Sequence, residues 1–266
     1  MLRDITIGQY YPSDSVIHRL DPRVKLMGTL VYILSLFFFQ NGFGLAAVTL
    51  GLILLIKLSK VPFRYMTKGL KAIGVILAMT GLFNLFLTPG EPLVKFWIFK
   101  ITQEGLKNAG FMVIRLTYLI LGSSVLTLTT TPNQLTDGME KSLKPLNKIG
   151  IPVHEIAMIM SIALRFIPIL IEETDKIMKA QLARGADFES GNFIKRVKAM
   201  VPLLVPLFVS AFRRANDLAM AMEARCYHGG EGRTKMKPLK YQKKDGIGYL
   251  LIAGYFVLVL LLRILL

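Results

Sequence analysis

Five apolar stretches, each close to the length of a membrane-spanning helix, constrain this sequence more than any other feature. A helix rises about 1.5 Å per residue, so roughly 20 apolar residues cross the bilayer core. The stretches run from Val24 to Phe39, Phe43 to Ile56, Ala72 to Leu87, Ala109 to Leu128 and Ile247 to Leu266. Hydrophobic residues make up 53% of the 266 residues and the mean hydropathy is +0.51. The sequence therefore predicts an all-α polytopic membrane protein with about five transmembrane helices.

The distribution of basic residues predicts how these stretches are oriented. The chain carries 33 Lys and Arg residues against 17 Asp and Glu, a formal net charge of +16. Basic residues collect before the first stretch and again after the second, where they are Lys57, Lys60, Arg64, Lys68 and Lys71. Cytoplasmic loops are the ones enriched in Lys and Arg. We therefore expect the N-terminus in the cytoplasm and the C-terminus outside.

The longest connection between apolar stretches divides the chain into three predicted parts. Residues 1–129 form an N-terminal transmembrane region of four spans, residues 130–244 a cytosolic or interfacial coupling region, and residues 245–266 a final transmembrane helix. In the middle part, helical patterns run from Pro152 to Leu182 and from Asn192 to Ala224. Both patterns are too charged to span and too apolar to be freely solvated. We expect them to lie at or under the membrane surface.

Three prolines interrupt these two helical patterns, namely Pro168 in the first, and Pro202 and Pro206 in the second. A proline inside a helix removes one backbone hydrogen bond and crowds the preceding turn, so all three are predicted hinges. Methionines on the same patterns predict an adaptable contact surface, although ordinary core packing explains them equally well. They are Met158, Met160, Met178, Met200, Met220 and Met222.

The sequence signatures of metal or catalytic chemistry are incomplete. The single cysteine, Cys226, excludes a disulfide framework and a zinc site built from cysteines. His154 and Glu155 begin a zinc-protease motif, but Met158 stands where its second histidine is required. The glycine-rich segment 229–234 has Arg233 where a phosphate-binding loop needs lysine. We therefore predict a non-catalytic protein with no catalytic residues, no metal and no cofactor, so any ATPase must be a separate chain.

The two long helical patterns end in similar tripeptides, Ala183-Arg184-Gly185 and Ala224-Arg225-Cys226. For one such end, capping is a sufficient explanation, since the helix dipole favours a terminal arginine by about 0.3–1 kcal/mol and glycine suits a left-handed cap. The repetition after 41 residues indicates a matched pair of docking points instead. An arginine on a rigid helix end offers a planar fork of donors to carboxylates or carbonyls.

Three motifs together resemble one transporter family. They are the two Ala-Arg motifs, the run Leu20-Asp21-Pro22-Arg23-Val24-Lys25, and the run Met222-Glu223-Ala224-Arg225-Cys226-Tyr227 that leads into residues 229–234. Together they resemble the transmembrane component of energy-coupling factor transporters, the EcfT/CbiQ family, over essentially the whole chain. Cys226 departs from the family pattern, in which glycine is common after the second arginine. Asp21 and Pro22 are also explained as the N-cap and first-turn proline of the first span.

The resemblance implies a subunit of a prokaryotic ABC-type importer of vitamins or metal ions. Such a subunit lies in the plasma membrane and joins two cytosolic ATPase subunits, identical or paired homologues, to a membrane-embedded substrate-binding S component. By the same resemblance, Arg184 and Arg225 each enter a groove of one ATPase. The implied ATPase-binding residues are Ala183, Arg184, Gly185, Ala224, Arg225 and Cys226, and the implied N-terminal motif is Asp21, Pro22 and Arg23.

A stand-alone channel or permease with a basic, lipid-binding cytosolic region is the alternative. Residues 233–244 contain six basic residues in twelve and no acidic one, which is typical of a patch that binds anionic lipid. Nucleic-acid binding usually adds several exposed aromatic residues for base stacking, and this segment has only Tyr241. We therefore predict contact with anionic lipid and no nucleic-acid partner.

Two arginines interrupt the predicted spans, Arg115 and Arg263. Each is expected within two turns of a predicted outer helix end. Both readings stay open at this point: the side chains extend to the headgroup layer, or they carry a functional charge inside the membrane.

Overall fold

The computed structural model describes residues 10–38, 42–89, 92–96, 99–188, 192–230, 236 and 238–265. These residues form eight α-helices, one two-stranded hairpin and the 3₁₀ helix Lys144–Ile149. The α-helices are α1 Pro22–Phe38, α2 Gly42–Ser59, α3 Phe63–Leu87, α4 Gln103–Thr129, α5 Pro132–Ser142, α6 Val153–Ala183, α7 Phe193–Glu223 and α8 Lys243–Leu265. The predicted all-α fold class is confirmed.

The hairpin is the one addition to the predicted helical fold in the part of the chain that the structure describes. Strands β1 Pro92–Phe96 and β2 Phe99–Thr102 pair antiparallel between α3 and α4, with Phe96 opposite Phe99. The side chain of Thr102 then caps α4, since its Oγ1 accepts the N–H of Gly105 at 3.0 Å. α4 therefore begins six residues before the apolar stretch that predicted it.

By length and composition, four helices are able to cross a membrane, or five if the bent α3 counts as one span, within the described ranges. Three of the four, α2, α4 and α8, contain predicted spans, and α3 contains another. α1 has only 17 residues and is not among them, with Phe39 outside the described residues. The fourth is α6, so the prediction that α6 is too charged to span is wrong. Its acidic residues Glu172, Glu173 and Asp175 lie in the second half, which leaves an apolar first half.

Contacts divide the chain into two compact units, which are described separately. One unit holds Gly8–Lys141 and Leu239–Leu266, and the other holds Ser142–Pro238 together with Met1–Ile7, which lie outside the described residues. The predicted division at residues 129 and 244 concerns the membrane rather than compactness, and it stays a prediction.

The first unit is a helical bundle in which tyrosine hydroxyls are paired inside the core. Tyr32 is 3% exposed and donates its hydroxyl to the carbonyl of Tyr118 at 3.1 Å. The Tyr118 hydroxyl bonds Thr49 Oγ1 at 2.8 Å, and the Tyr255 hydroxyl bonds Ser35 Oγ at 2.8 Å. Buried hydroxyls cost free energy unless they are hydrogen-bonded, so these pairs fix how α1, α2, α4 and α8 pack.

The segment before α1 is held to this bundle through His18. Because a carbonyl oxygen only accepts, His18 Nε2 carries a proton and donates to Tyr11 O at 3.0 Å. His18 Nδ1 then accepts from Ser15 Oγ at 2.7 Å, and the Tyr11 N–H bonds Leu128 O at 2.9 Å. Burial lowers the pKa of His18 below its usual value of 6.5; the hydrogen bond to Tyr11 opposes this, and the nearby Lys25 charge adds to the lowering.

The free energy of unfolding is expected to fall as the pH drops below about 6.5. The pKa of His18 is lower in the folded chain than in the unfolded chain, so acid favours the unfolded state. Thermal unfolding in detergent at pH 7.5 and 5.5 measures the effect, and His18→Gln should reduce the difference between the two pH values. Equal pH dependence in wild type and variant would contradict this assignment.

The second unit is built on α6 and α7, which pass each other in opposite directions. Glu173 of α6 bonds Arg214 of α7 at 2.9 Å, near the middle of both helices. Gly230, just after α7, packs against His154 at the start of α6, where an added Cβ would lie 2.9 Å from His154 Cγ and closer still to Cδ2. The end of α7 therefore lies beside the beginning of α6.

Candidate functional site

The end of α6 is a Schellman cap built around Gly185. The N–H of Gly185 bonds the carbonyl of Leu182 at 3.0 Å, and the N–H of Ala186 bonds that of Gln181 at 3.0 Å. Gly185 has φ +86°, a left-handed conformation that glycine adopts without steric cost. Arg184 is the residue immediately before this turn, so the backbone holds it at the tip of the helix.

The end of α7 repeats the same cap although its sequence differs. The N–H of Cys226 bonds the carbonyl of Glu223 at 2.8 Å, and the N–H of Tyr227 bonds that of Met222 at 3.1 Å. Cys226 has φ +54° and so occupies the position that Gly185 holds in α6. Arg225 precedes it as Arg184 precedes Gly185. The departure at Cys226 therefore leaves the hydrogen-bond pattern of the cap unchanged.

Replacing Cys226 by glycine is expected to raise the free energy of unfolding of this helix end by about 1 kcal/mol, because a left-handed side-chain residue costs about 1–2 kcal/mol that glycine avoids. Hydrogen exchange of the amides of Cys226 and Tyr227 measures the change. Gly185→Ala should have the opposite sign at the end of α6. Faster exchange in Cys226→Gly would contradict the prediction.

Both arginines are available to a partner. The six residues of the two Ala-Arg motifs are exposed, from Ala183 to Gly185 and from Ala224 to Cys226. Within the described residues, neither Arg184 nor Arg225 forms an ion pair. Their donors are therefore directed to solvent from two rigid caps.

The two arginines lie at opposite ends of the α6–α7 pair. Arg225 follows α7, whose end lies beside the start of α6 at His154. Arg184 follows α6, which has 31 residues and is therefore about 46 Å long. A partner that binds one arginine does not cover the other, so the arrangement offers two separate docking points.

The predicted hinge prolines lie inside continuous helices. α6 runs through Pro168, and α7 runs through Pro202 and Pro206, without a break in either helix. Each proline lacks the N–H that would bond the carbonyl four residues earlier, so the helix is locally less restrained there. Bending at these positions stays a prediction.

The N-terminal motif forms a buried polar cluster at the start of α1. Asp21 caps the helix, since its Oδ1 accepts the N–H of Arg23 at 2.9 Å, and Pro22 is the first helical residue. The Asp21 N–H bonds Asp245 Oδ1 at 2.8 Å. Arg23 Nη2 bonds Leu239 O at 3.1 Å, and its guanidinium lies 4.5 Å from the ring centre of Tyr241. The motif thus joins the two ends of the bundle's chain.

Sequence reasoning missed two partners of this cluster, Asp245 and Lys25. Asp245 is 2% exposed, and its Oδ2 accepts the N–H of Gln242 at 2.7 Å. Lys25 is 7% exposed and donates to the carbonyls of Thr129 at 2.9 Å and His18 at 3.2 Å. An aspartate in the first turn of an otherwise apolar helix was the available signal for Asp245. The basic residues of 233–244 are only partly described, since 231–235 and 237 lie outside the described residues.

Arg115 and Arg263 contact aromatic rings at the end of α1. The guanidinium of Arg115 lies 5.8 Å from the ring centre of Phe37, and that of Arg263 lies 5.0 Å from that of Phe38. Arg263 is near the end of α8, as expected. The expectation is wrong for Arg115, because α4 begins at Gln103 and Arg115 lies about 18 Å along the helix. No group of three or more potential metal ligands occurs among the described residues.

Comparison with known proteins identifies the family. Residues 13–236 match the family model CbiQ, described as cobalt transport protein. An energy-coupling factor transporter transmembrane protein of Clostridium kluyveri is 56% identical over 252 residues, which cover 94% of this chain and 93% of the relative. The protein with the same name in Heliobacterium modesticaldum is 51% identical over 261 residues, 98% of each chain. That of Bacillus subtilis is 51% identical over 246 residues, 92% of this chain and 93% of the relative.

The predicted resemblance is thereby confirmed, and the relatives carry the names of membrane components of a transporter rather than of enzymes. The match includes both long helices and both Ala-Arg motifs, since it extends over residues 13–236. Several apolar helices long enough to span a bilayer agree with a multi-pass membrane protein. The chain therefore belongs to the CbiQ family, together with these energy-coupling factor transporter transmembrane proteins.

Proposed function

We propose that the chain couples ATP hydrolysis by two cytosolic ABC-type ATPases to uptake of a substrate held by a membrane-embedded S component. The observation that carries the proposal is the pair of exposed arginines in matching caps at opposite ends of α6 and α7. Family membership supplies the transporter context. Vitamins or metal ions are the proposed substrate classes, and the S component makes the choice between them.

The matching caps support docking of two similar ATPases. Each arginine is presented on the same hydrogen-bonded turn, so two similar grooves can accept the two tips in the same way. An arginine fork binds carboxylates through two parallel hydrogen bonds, which fixes orientation as well as position. The ATPases are either identical or paired homologues.

An exposed apolar face on α7 supports contact with the S component. Leu204, Val205, Phe208, Val209 and Phe212 are each about half exposed or more and line a groove of about 780 Å³. Exposed apolar patches of this kind mark interaction sites or contact with a membrane. Of the six methionines, Met160, Met200 and Met220 are exposed and able to adapt to a partner surface.

The proposed orientation places the N-terminus and both coupling helices in the cytoplasm, and Cys226 tests it. It is the single cysteine of the chain and is exposed. A membrane-impermeant maleimide is expected to modify Cys226 in inside-out vesicles and to leave it unmodified in right-side-out vesicles. Modification from the outside alone would contradict the orientation.

Anionic lipid is proposed as a further partner, through the basic residues before α8. Lys240, Lys243 and Lys244 are exposed at the start of this helix. Lipid binding alone is the main feature of the alternative function, a stand-alone permease. The two functions differ in whether transport needs a separate ATPase.

The proposed function is tested by expressing the chain with and without candidate ATPase and S-component genes. The full set is expected to co-purify as one complex and to accumulate substrate only when the ATPases are active. ATPases with an inactivated nucleotide site provide the control. Uptake that persists when every partner ATPase is deleted would contradict the proposal and favour the stand-alone permease.

A further inference from the structure

A polar cluster joins α6 and α7 at the middle of the pair. Arg214 Nη2 donates to Glu173 Oε2 at 2.9 Å, and Ser210 Oγ donates to Glu173 Oε1. Arg214 Nε lies 3.5 Å from Ser210 Oγ, so the three side chains are in mutual contact. With both carboxylate oxygens engaged by donors of α7, the cluster restrains direction as well as distance.

The cluster is equally distant from the two docking arginines. Glu173 lies 11 residues before Arg184 on α6, and Arg214 lies 11 residues before Arg225 on α7. Because a helix rises about 1.5 Å per residue, each arginine lies about 16 Å along its helix from the cluster. Near a right angle, a change of about 20° in the crossing angle of two such arms changes the tip separation by about 4 Å.

Apolar packing beside the cluster does not by itself fix the crossing angle. A cleft of about 300 Å³ lies between the two helices, with Ile162, Phe166 and Leu170 on α6 and the small residues Ala211, Ala215 and Ala219 on α7. Well-packed interiors leave few voids larger than a water molecule. The side chains of α6 therefore have room to repack, and the cluster of Glu173, Ser210 and Arg214 is the stronger restraint on the angle.

We propose that Glu173 and Arg214 are positioning residues that set the crossing angle of α6 and α7 and thereby the separation of Arg184 and Arg225. The inference rests on the proposed function, because only two docked ATPases give that separation its meaning. In the intact pair, the spacing of the two tips is fixed before any ATPase binds. A movement imposed on one tip reaches the other through the cluster.

The separation is measurable in the full-length chain without any partner. Ala180 and Ala221 are exposed, and each lies four residues before a docking arginine. Spin labels at Ala180→Cys and Ala221→Cys, in a Cys226→Gly background, report the distance between the helix ends by pulsed electron resonance. Glu173→Gln and Arg214→Gln are expected to broaden the distance distribution or shift its mean by about 4 Å, as the arm length gives.

Arg213→Gln is the matched control, because Arg213 is exposed beside Arg214 and lines the other face of α7. It should leave the distribution unchanged, and the exchanged pair Glu173→Arg with Arg214→Glu should restore the wild-type distribution. An unchanged distribution in both Glu173→Gln and Arg214→Gln would overturn the proposal. So would a broad distribution in the exchanged pair while its thermal unfolding matches that of wild type.

The assembled transporter separates this inference from the proposed function. In the complex, Glu173→Gln is expected to retain both ATPases, because Arg184 and Arg225 are unchanged, while substrate uptake per ATP hydrolysed falls several-fold. Unchanged uptake per ATP would overturn the positioning role. If the wild-type chain bound no ATPase at all, the proposed function would fail, and the distance measurement on the isolated chain would still decide whether the cluster sets the angle.

Discussion

Replacing Arg184 and Arg225 together by glutamate is expected to abolish co-purification of the ATPases and, with it, substrate uptake. Each reversal removes a guanidinium from a proposed groove and brings a negative charge against the carboxylates or carbonyls that bound it. Losing one partner of a desolvated, hydrogen-bonded charge pair costs about 2–5 kcal/mol, a loss in affinity of roughly 30-fold to several thousand-fold per site. Affinity purification followed by quantification of each subunit measures the effect.

The single reversals should weaken assembly less than the pair, because each leaves one docking point intact. Lys179→Glu on α6 and Lys198→Glu on α7 are matched controls: both lysines are exposed and give the same change in charge away from the helix tips. They should retain the ATPases. The docking role is wrong if the double variant, with unaltered thermal unfolding, still carries active ATPases and supports uptake.

The ends of the two long helices could be predicted from the sequence because capping is a local property. Pro152 to Leu182 and Asn192 to Ala224 were the predicted helical limits, and the observed helices are Val153–Ala183 and Phe193–Glu223. Both docking arginines then follow from position alone. The left-handed conformation of Cys226 could not be predicted, since a cysteine does not favour positive φ and only its cap hydrogen bonds explain it.

Contacts between distant parts of the chain could not be predicted from one sequence. Asp21 and Asp245 are 224 residues apart, and Glu173 and Arg214 are 41 apart, with no periodicity to connect them. The charge argument for α6 failed for a different reason. The charge of the whole helix hid an apolar first half, so a pattern of 31 residues was judged as one environment.

A second large effect is expected from Gly122→Ala in α4, which should destabilise the helical bundle by about 1–3 kcal/mol. Gly122 is buried, and an added Cβ would lie 2.7 Å from Cδ1 of Tyr32 and closer still to Cε1. Tyr32 cannot simply move away, because its hydroxyl bonds the carbonyl of Tyr118 within the same core. Thermal unfolding of the purified chain in detergent measures the loss.

Gly110→Ala in the same helix is the control, because nothing lies within 4 Å of a Cβ added there. It should be neutral or stabilising by up to about 1 kcal/mol, since alanine favours the helix over glycine. Tyr32→Ala combined with Gly122→Ala should lose less stability than the sum of the two single changes, because the ring that causes the clash is gone. Tyr32→Phe combined with Gly122→Ala should show no such rescue, since it keeps the ring. Rescue by Tyr32→Phe would instead assign the effect to the hydroxyl, and the close approach of the Tyr32 ring to α4 would not be what requires glycine at position 122.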